Sequence, residues 1–414
     1  MRRRVSTLDR RSFLCRAGVA AAGITAELTG LASSAHLAWA QAPAPANELL
    51  AGRPLVRYPQ KTDLILLTSR PPQLETPMKY FETAITPNEA FYVRYHLNPP
   101  TEIDVAAWRL RIGGHVERPL ELSLDELRNR FPSASVVAVN QCSGNSRGYF
   151  EPRVFGGQWA HGAMGNAQWT GARLRDILNA AGVREGSVDV SFAGLDQPPM
   201  PTVARFEKSL RVSRIMQDPD VLVAYSMNGQ PLPFLNGFPA RLVVPGWYGT
   251  YWVKHLSEIT VLDREFDGFW MKERYLLPDT PCKCVEPGAQ ANSSVPTERM
   301  NVRSFIVVPE EGATVPMGRG MVLKGIAFDG GHGLETVMVS ADNGLIWRRA
   351  VLGQDRGNYS FREWSYVWNP PRTGQHRLMV RAINRIGESQ PFAPLWNPSG
   401  YVRNVAEHVN VTVE

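Results

Sequence analysis

Ser135-Val136-Val137-Ala138-Val139-Asn140-Gln141-Cys142-Ser143-Gly144-Asn145-Ser146-Arg147 is the stretch on which the reading of this 414-residue chain turns. Its first five residues, three of them valine, have the composition of a buried strand. The strand delivers Asn140, Gln141 and Cys142 at its end, where a run of small residues opens a turn. Gly144 permits positive φ, and small side chains let a large ligand come close. Arg147 adds a cation that lowers a thiol pKa and binds anions. Taken locally, two readings stand. Cys142 is either a structural cysteine in a strand-end turn, the commoner case, or an activated thiol at a ligand site.

Outward from this stretch, strands and helices alternate to about residue 265. Trp108, Leu110 and Ile112 alternate with Arg109 and Arg111, the period of a half-buried strand. Ser123-Leu124-Asp125-Glu126 is a capping box that starts a short helix. A second helix is expected over 173–181, with Leu174, Ile177 and Leu178 on one face and Gly182 past its end. Further strands are expected over 188–193, 221–225 and 241–244. These elements describe an α+β domain with mixed sheets. Residues 266–298 are irregular, but Trp270, Met271 and Tyr275 make them a covering segment rather than a free linker. Beyond residue 302 only short strands recur, over 305–308, 321–328, 336–340, 364–368, 377–382 and 408–413. Asp329-Gly330-Gly331 and Asp342-Asn343-Gly344 are among the turns between them. That pattern predicts an immunoglobulin-like β-sandwich. The expected division is a targeting segment over 1–40, a catalytic domain over 41–298 that begins with an Ala- and Pro-rich arm to about residue 60, and the sandwich over 299–414.

The composition, 43% hydrophobic and 20% charged, is that of a soluble globular protein, and Gly 35 and Pro 32 favour a turn-rich, β-rich fold. The net charge of +6 is misleading. Residues 1–40 carry six arginines against Asp9 and Glu27, so the body is nearly neutral and offers no electrostatic case for nucleic acid. Arg10-Arg11-Ser12-Phe13-Leu14, a weakly apolar run and Ala38-Trp39-Ala40 follow in the order of a twin-arginine export signal with its cleavage site. Glu27 interrupts the apolar run, which argues against a membrane span there, and no later stretch is apolar enough for one.

After cleavage Cys142, Cys282 and Cys284 remain, an odd number that leaves at least one thiol unpaired. Cys282-Lys283-Cys284 is spaced too tightly for an easy mutual disulfide and lacks the second pair a zinc site wants, so both read as small buried residues. Arg94 and His96, in Phe91-Tyr92-Val93-Arg94-Tyr95-His96, fall on one face of an extended segment. Such a pair suits an oxyanion, though a solvated strand face has the same pattern. No haem-attachment, P-loop, dinucleotide or nucleophile-elbow motif is present.

Five stretches in order resemble the sulfite oxidase family of molybdenum-cofactor enzymes, in particular its bacterial periplasmic sulfite dehydrogenases. They are 91–96, Asn140 to Arg147, Tyr225 to Leu232, Asn236-Gly237-Phe238-Pro239-Ala240-Arg241 leading to Trp252-Val253-Lys254, and Trp396-Asn397-Pro398. The resemblance implies that a pyranopterin dithiolene brings molybdenum, with Cys142 as the protein's ligand to the metal. A soft thiolate suits such a centre. It further implies Arg94, Arg147 and Tyr275 in the substrate pocket, with Trp159 lining it. His96, Asp196, Asn236, Arg241, Trp252, Val253 and Lys254 fall at positions that hold the pterin and its phosphate. Two departures stand out. Asn236 replaces a histidine found in many members, and Ser399 replaces an arginine, which removes a positive charge near the pocket.

The implied activity is oxidation of sulfite to sulfate in the periplasm. Without a haem in this chain, the electrons would pass to a separate c-type cytochrome, free or a subunit. Homodimer and heterodimer are both open. The alternatives are a sulfane dehydrogenase subunit of a sulfur-oxidising complex, sulfoxide reduction on the same scaffold, and a non-catalytic exported binding or assembly protein.

Overall fold

The computed structural model describes residue 50 and residues 52–414. The export signal and the first part of the arm lie outside the described residues. The described residues form one compact unit.

The Ser133–Gln141 strand pairs antiparallel with Met164–Arg173 along its whole length, to Asn140↔Gly165 and Gln141↔Met164. Met164–Arg173 is flanked on its other side by Leu222–Met227, which also pairs with Arg241–Val243. Enclosed this way, the strand buries Ala167, Trp169 and Ala172 fully and leaves Gln168 exposed. The second sheet runs in the order Glu207–Arg211, Asp189–Gly194, Leu256–Leu262, Leu110–Gly114 and Leu120–Leu122. Its Leu256–Leu262 and Leu110–Gly114 strands are parallel and the rest antiparallel, the mixed sheet expected. The helix Leu124–Asn129 starts at the Ser123/Glu126 capping box. The helix Leu174–Ala181 buries Leu174, Ile177 and Leu178 and ends at Gly182 with φ 71°.

Residues 303–413 form two facing sheets. One has Arg303–Val308, Met321–Phe328, Arg362–Trp368 and Val351–Leu352; the other is built around Gly374–Asn384 and Glu407–Val413. Their inner faces share a core that includes Leu323, Val337, Trp364 and Leu378. Among the described residues no helix is long and apolar enough to cross a membrane.

Two expectations are corrected. The arm is not merely extended, because Leu55–Arg57 pairs with Asp63–Ser69 at the edge of a four-stranded sheet that ends at Val93–Arg94. Cys282 and Cys284 are not buried thiols. They form a disulfide, with Cys282 exposed. Lys283 between them takes φ 54°, and this left-handed residue folds the chain back enough to bring the two Cα atoms to 5.1 Å.

The sandwich is fused to the first domain. Phe81, Val139, Met164 and Tyr248 pack with Phe305, Phe328 and Phe361 in one apolar cluster. Beside it Glu407 accepts hydrogen bonds from Arg303 at 2.6 Å and Arg403 at 2.8 Å. Arg303 also donates to Ser146 Oγ at 3.0 Å, within the turn that follows Cys142. Burial works to raise the Glu407 pKa, but Arg403, His161 and Arg303 outweigh it and hold the carboxyl at about 2. Burial drives neighbouring His161 down to about 3 against the pull of Glu407.

Both groups are depressed in the folded state, so the unfolded chain takes up protons first. Their contribution to stability is full above about 6.5 and is lost as pH falls toward 3 for His161 and from 4.5 toward 2 for Glu407. Glu407→Gln leaves two arginines buried without their carboxylate. It should cost about 3–5 kcal/mol in urea denaturation at neutral pH and flatten the lower part of this acid transition. A loss below about 1 kcal/mol, the size of an exposed pair, would show that the cluster does not hold the domains.

Candidate active site

The Ser133–Gln141 strand ends where the chain must turn. The Cys142 amide donates to Ala163 O at 2.9 Å, and Cys142 O accepts from the Asn145 amide at 2.9 Å. Ser146 takes φ 68° to complete the turn. Cys142 is left as a free, buried thiol at the wall of a narrow cavity.

Three segments supply most of the remaining wall. Tyr92, Arg94 and His96 come from one face of the 91–96 stretch. Asn236 and Arg241 come from the turn before the Arg241–Val243 strand, and Gly249, Thr250, Trp252 and Lys254 from the loop after it. Asp196 and Tyr275 also line the cavity, as do Asn140 and Ser143 on either side of the Cys142 turn. Arg241 is held rigidly, donating to Asn236 O at 2.8 Å and Trp252 O at 3.1 Å. Lys254 Nζ donates to Arg94 O at 2.6 Å and lies 3.9 Å over the Tyr95 ring. Asn236 donates to Tyr92 O at 3.0 Å and accepts from Lys61. His96 shares a hydrogen bond with the Tyr275 hydroxyl and stacks on Phe206 at 4.3 Å.

Positive charge dominates the cavity. Burial and then Arg241 lower the Lys254 pKa to about 7, although Asp196 opposes them. Burial brings Arg241 down to about 10. Asp196 is raised by burial despite Lys254. Burial, followed by Arg94, Lys254 and Lys208, pushes His96 well below its ordinary value, so its ring is neutral at pH 7. Buried cations gathered in one cavity are relieved by an anion, and a phosphate-bearing ligand supplies one.

The polar atoms fit such a ligand. Asn140 Nδ2, Ser143 Oγ, Thr250 Oγ1 and Arg241 Nε are buried without a hydrogen-bond partner, and all four residues line the cavity. Buried groups of this kind call for partners. At Gly249 a Cβ would stand 3.0 Å from Asn140 Oδ1 and from the Tyr92 hydroxyl, so a side chain would crowd this wall. The thiol, the cations and the unpaired donors suit a phosphorylated pterin bearing a soft metal.

The structure brings Arg94, His96, Cys142, Asp196, Asn236, Arg241, Trp252, Lys254 and Tyr275 to this one cavity. It does not bring Arg147, Trp159 or Val253 to the wall. The Arg147 guanidinium donates to Gly400 O at 3.1 Å, Ser399 O at 3.2 Å and Gly157 O at 3.3 Å. It lies 4.9 Å from the Tyr401 ring, which stacks on Tyr275 at 5.0 Å. Trp159 is buried and packs edge-on against Tyr92. Val253 faces the core, and its carbonyl accepts from Leu242 N at 2.8 Å.

Sequence reasoning missed Tyr92, although the alternation that selected Arg94 and His96 includes it. Lys61 and Thr250 carried no local signal. Lys61 reaches the site from the far end of the domain, where its amine also donates to Asn88 O and Phe91 O.

Residues 96–270 match the oxidoreductase molybdopterin binding domain, and residues 294–414 match the Mo-co oxidoreductase dimerisation domain. With the cavity above, they define the class as a molybdopterin oxidoreductase. The mitochondrial sulfite oxidase of Rattus norvegicus is 35% identical over 83% of this chain, which spans 63% of that protein's length. The sulfite oxidase of Gallus gallus is 36% identical over 86% of this chain and 78% of its own length. The chain belongs to the sulfite oxidase family, and molybdopterin with molybdenum is its cofactor. The crystal structure of the sulfane dehydrogenase SoxCD from Paracoccus pantotrophus has the same fold. Its TM-score is 0.70 at 23% identity, over 90% of this chain and 95% of that one.

Arg241→Gln removes a charge that two carbonyls hold in place at the cavity wall. Cofactor affinity should fall by roughly 10–100-fold, the usual size of such an orienting contact. The measure is pterin released per mole of purified protein. Unchanged occupancy would remove Arg241 from the binding set.

Proposed function

We propose that this protein is a periplasmic sulfite dehydrogenase, oxidising sulfite to sulfate and passing the electrons to a separate c-type cytochrome. The observation that carries the reading is the cation-lined cavity that ends at the one free cysteine among the described residues. The relatives named sulfite oxidase support it. When bound, the molybdenum cofactor accepts two electrons from the substrate sulfur.

The chain's own residues bind and orient. Cys142 serves as the thiolate ligand to the metal. Arg241, Lys254, Asn236 and the donors of Asn140, Ser143 and Thr250 hold the pterin and its phosphate. Arg94 binds the sulfur oxyanion, and a guanidinium suits its planar pairs of oxygens. Neutral His96 fixes the Tyr275 hydroxyl at the cavity wall. Arg147 acts at one remove, through Tyr401 stacked on Tyr275. The Arg10-Arg11 export signal supports a periplasmic location, since that route carries folded proteins already loaded with cofactor. The dimerisation-domain match supports self-association through the sandwich.

The test is steady-state oxidation of sulfite with cytochrome c as acceptor. The wild type should turn over. Cys142→Ser should lose more than the roughly 100-fold typical of changes beyond the ligand itself. A fully active variant would remove the ligand assignment. Faster turnover on a sulfane-sulfur substrate than on sulfite would move the activity to sulfane oxidation. Purified protein without molybdenum or pterin would end the enzyme reading altogether.

A further inference from the structure

We infer that the Cys282–Cys284 disulfide is a reversible modification site that takes soft sulfur nucleophiles, sulfite or a thiolate, at the groove it borders. Three observations carry this.

The first is that the bond does little for the fold. A disulfide stabilises more as the loop it closes lengthens, and this one spans only two residues. The turn is already held without it. Thr280 Oγ1 accepts from the Cys284 amide at 3.1 Å and donates to Cys284 O at 2.9 Å, while the Lys283 amide donates to Thr280 O at 3.0 Å. The second is access. Cys282 is exposed and Cys284 half-buried, so an incoming nucleophile meets the Cys282 sulfur first. Exposed disulfides are the labile and regulatory ones. The third is room. Cys282 and Lys283 form part of the wall of an open groove of about 710 Å³ between the covering segment and the sandwich. Lys283, Arg299, Glu298 and Glu388 all line it, so the groove is balanced in charge and the preference comes from sulfur chemistry.

The step balances without an outside oxidant. The sulfite lone pair attacks Cys282 Sγ and forms a new sulfur–sulfur bond. The Sγ–Sγ bond breaks, and its electron pair leaves on Cys284 as the thiolate. The product is an S-sulfonate on Cys282. A thiolate attacking in the same way leaves a mixed disulfide there. Cys284 stays two residues away, so its thiolate can attack in turn, expel the nucleophile and restore the bond. The sulfite arm rests on the substrate proposed above; the thiolate arm does not.

The experiment uses the full-length, cofactor-loaded protein under native conditions without an electron acceptor. One sample receives sulfite and another glutathione, each with an alkylating trap and with a small exposed disulfide added as an internal reference. Peptide mass mapping reads the products. The expected result is a sulfonate or a glutathionyl group on Cys282, an alkyl group on Cys284 and an unmodified Cys142, formed as fast as the reference is cleaved. Adduct only in the glutathione sample would identify the source as thiolate and overturn the sulfite arm. No adduct in either sample while the reference is cleaved, or adduct only after denaturation, would overturn the proposal. Because the readout is mass, a sulfonate on a protein that does not oxidise sulfite would leave this site standing and remove the proposed function. Turnover without adduct would do the reverse.

Discussion

One buried carboxylate, Glu407, joins the thiol-bearing turn to the β-sandwich. It lies on the Glu407–Val413 strand and accepts from both Arg303 and Arg403. A buried charge is tolerable only when paired and hydrogen-bonded, and two guanidiniums on one carboxylate leave a net positive charge. Burial keeps His161 neutral although it lies 3.9 Å from Glu407, with Arg403 and Arg303 adding to the effect, and it shares a hydrogen bond with Ser146 Oγ at 2.8 Å. Ser146 also accepts from Arg303, so the left-handed residue that completes the Cys142 turn is fixed from the second domain. Val402 N donates to Ser143 O at 2.7 Å, and the carbonyls of Ser399 and Gly400 hold Arg147. The sandwich thus sets the shape of the catalytic turn at Ser143, Ser146 and Arg147, in addition to any part in self-association.

The cavity has the complementary electrostatic design. Arg94, Arg241 and Lys254 converge there with Asp196 as the single carboxylate in the lining. Burying cations costs stability, and burial lowers both Lys254 and Arg241, with Arg241 adding to the effect on Lys254. Binding a phosphorylated cofactor returns it. On this electrostatic argument folding and cofactor loading are coupled, in keeping with the proposed export of the protein after it has folded.

Much of this was legible in the sequence where one physical rule decided each point. The alternation of Trp108, Leu110 and Ile112, the Ser123 capping box and Gly182 past its helix each fix a local element whatever the tertiary context. The sandwich strands were legible because turn residues bracket them. The site was legible where side chains share a strand face, as at Arg94 and His96. It was not legible where geometry comes from long-range packing. Lys61 meets Asn236 across 175 residues of chain, and nothing near Lys61 announces it. The disulfide was missed for a related reason. Spacing alone disfavours a bridge between Cys282 and Cys284, and only the positive φ of Lys283 and the Thr280 hydrogen bonds make the turn that permits one.

Arg147 shows how a motif residue and its role can part. The motif suggested a guanidinium aimed at the substrate. In the structure three carbonyls use its donors, and its flat face lies over Tyr401. Three of its five donors are taken and the side chain is anchored off the cavity wall, yet it reaches the cavity electrostatically through Tyr401 and Tyr275, and it acts to lower the pKa of both hydroxyls against the larger effect of burial. Ser399 belongs to the same arrangement. The atom that holds Arg147 is its backbone oxygen, which any residue provides, while its hydroxyl donates to Leu276 O at 3.1 Å, next to Tyr275. Serine at 399 thus removes a cation from the neighbourhood and adds a tether to the covering segment. On the proposed function, direct contact with the oxyanion would fall to Arg94, the one arginine whose side chain lines the cavity without being assigned to the pterin cradle.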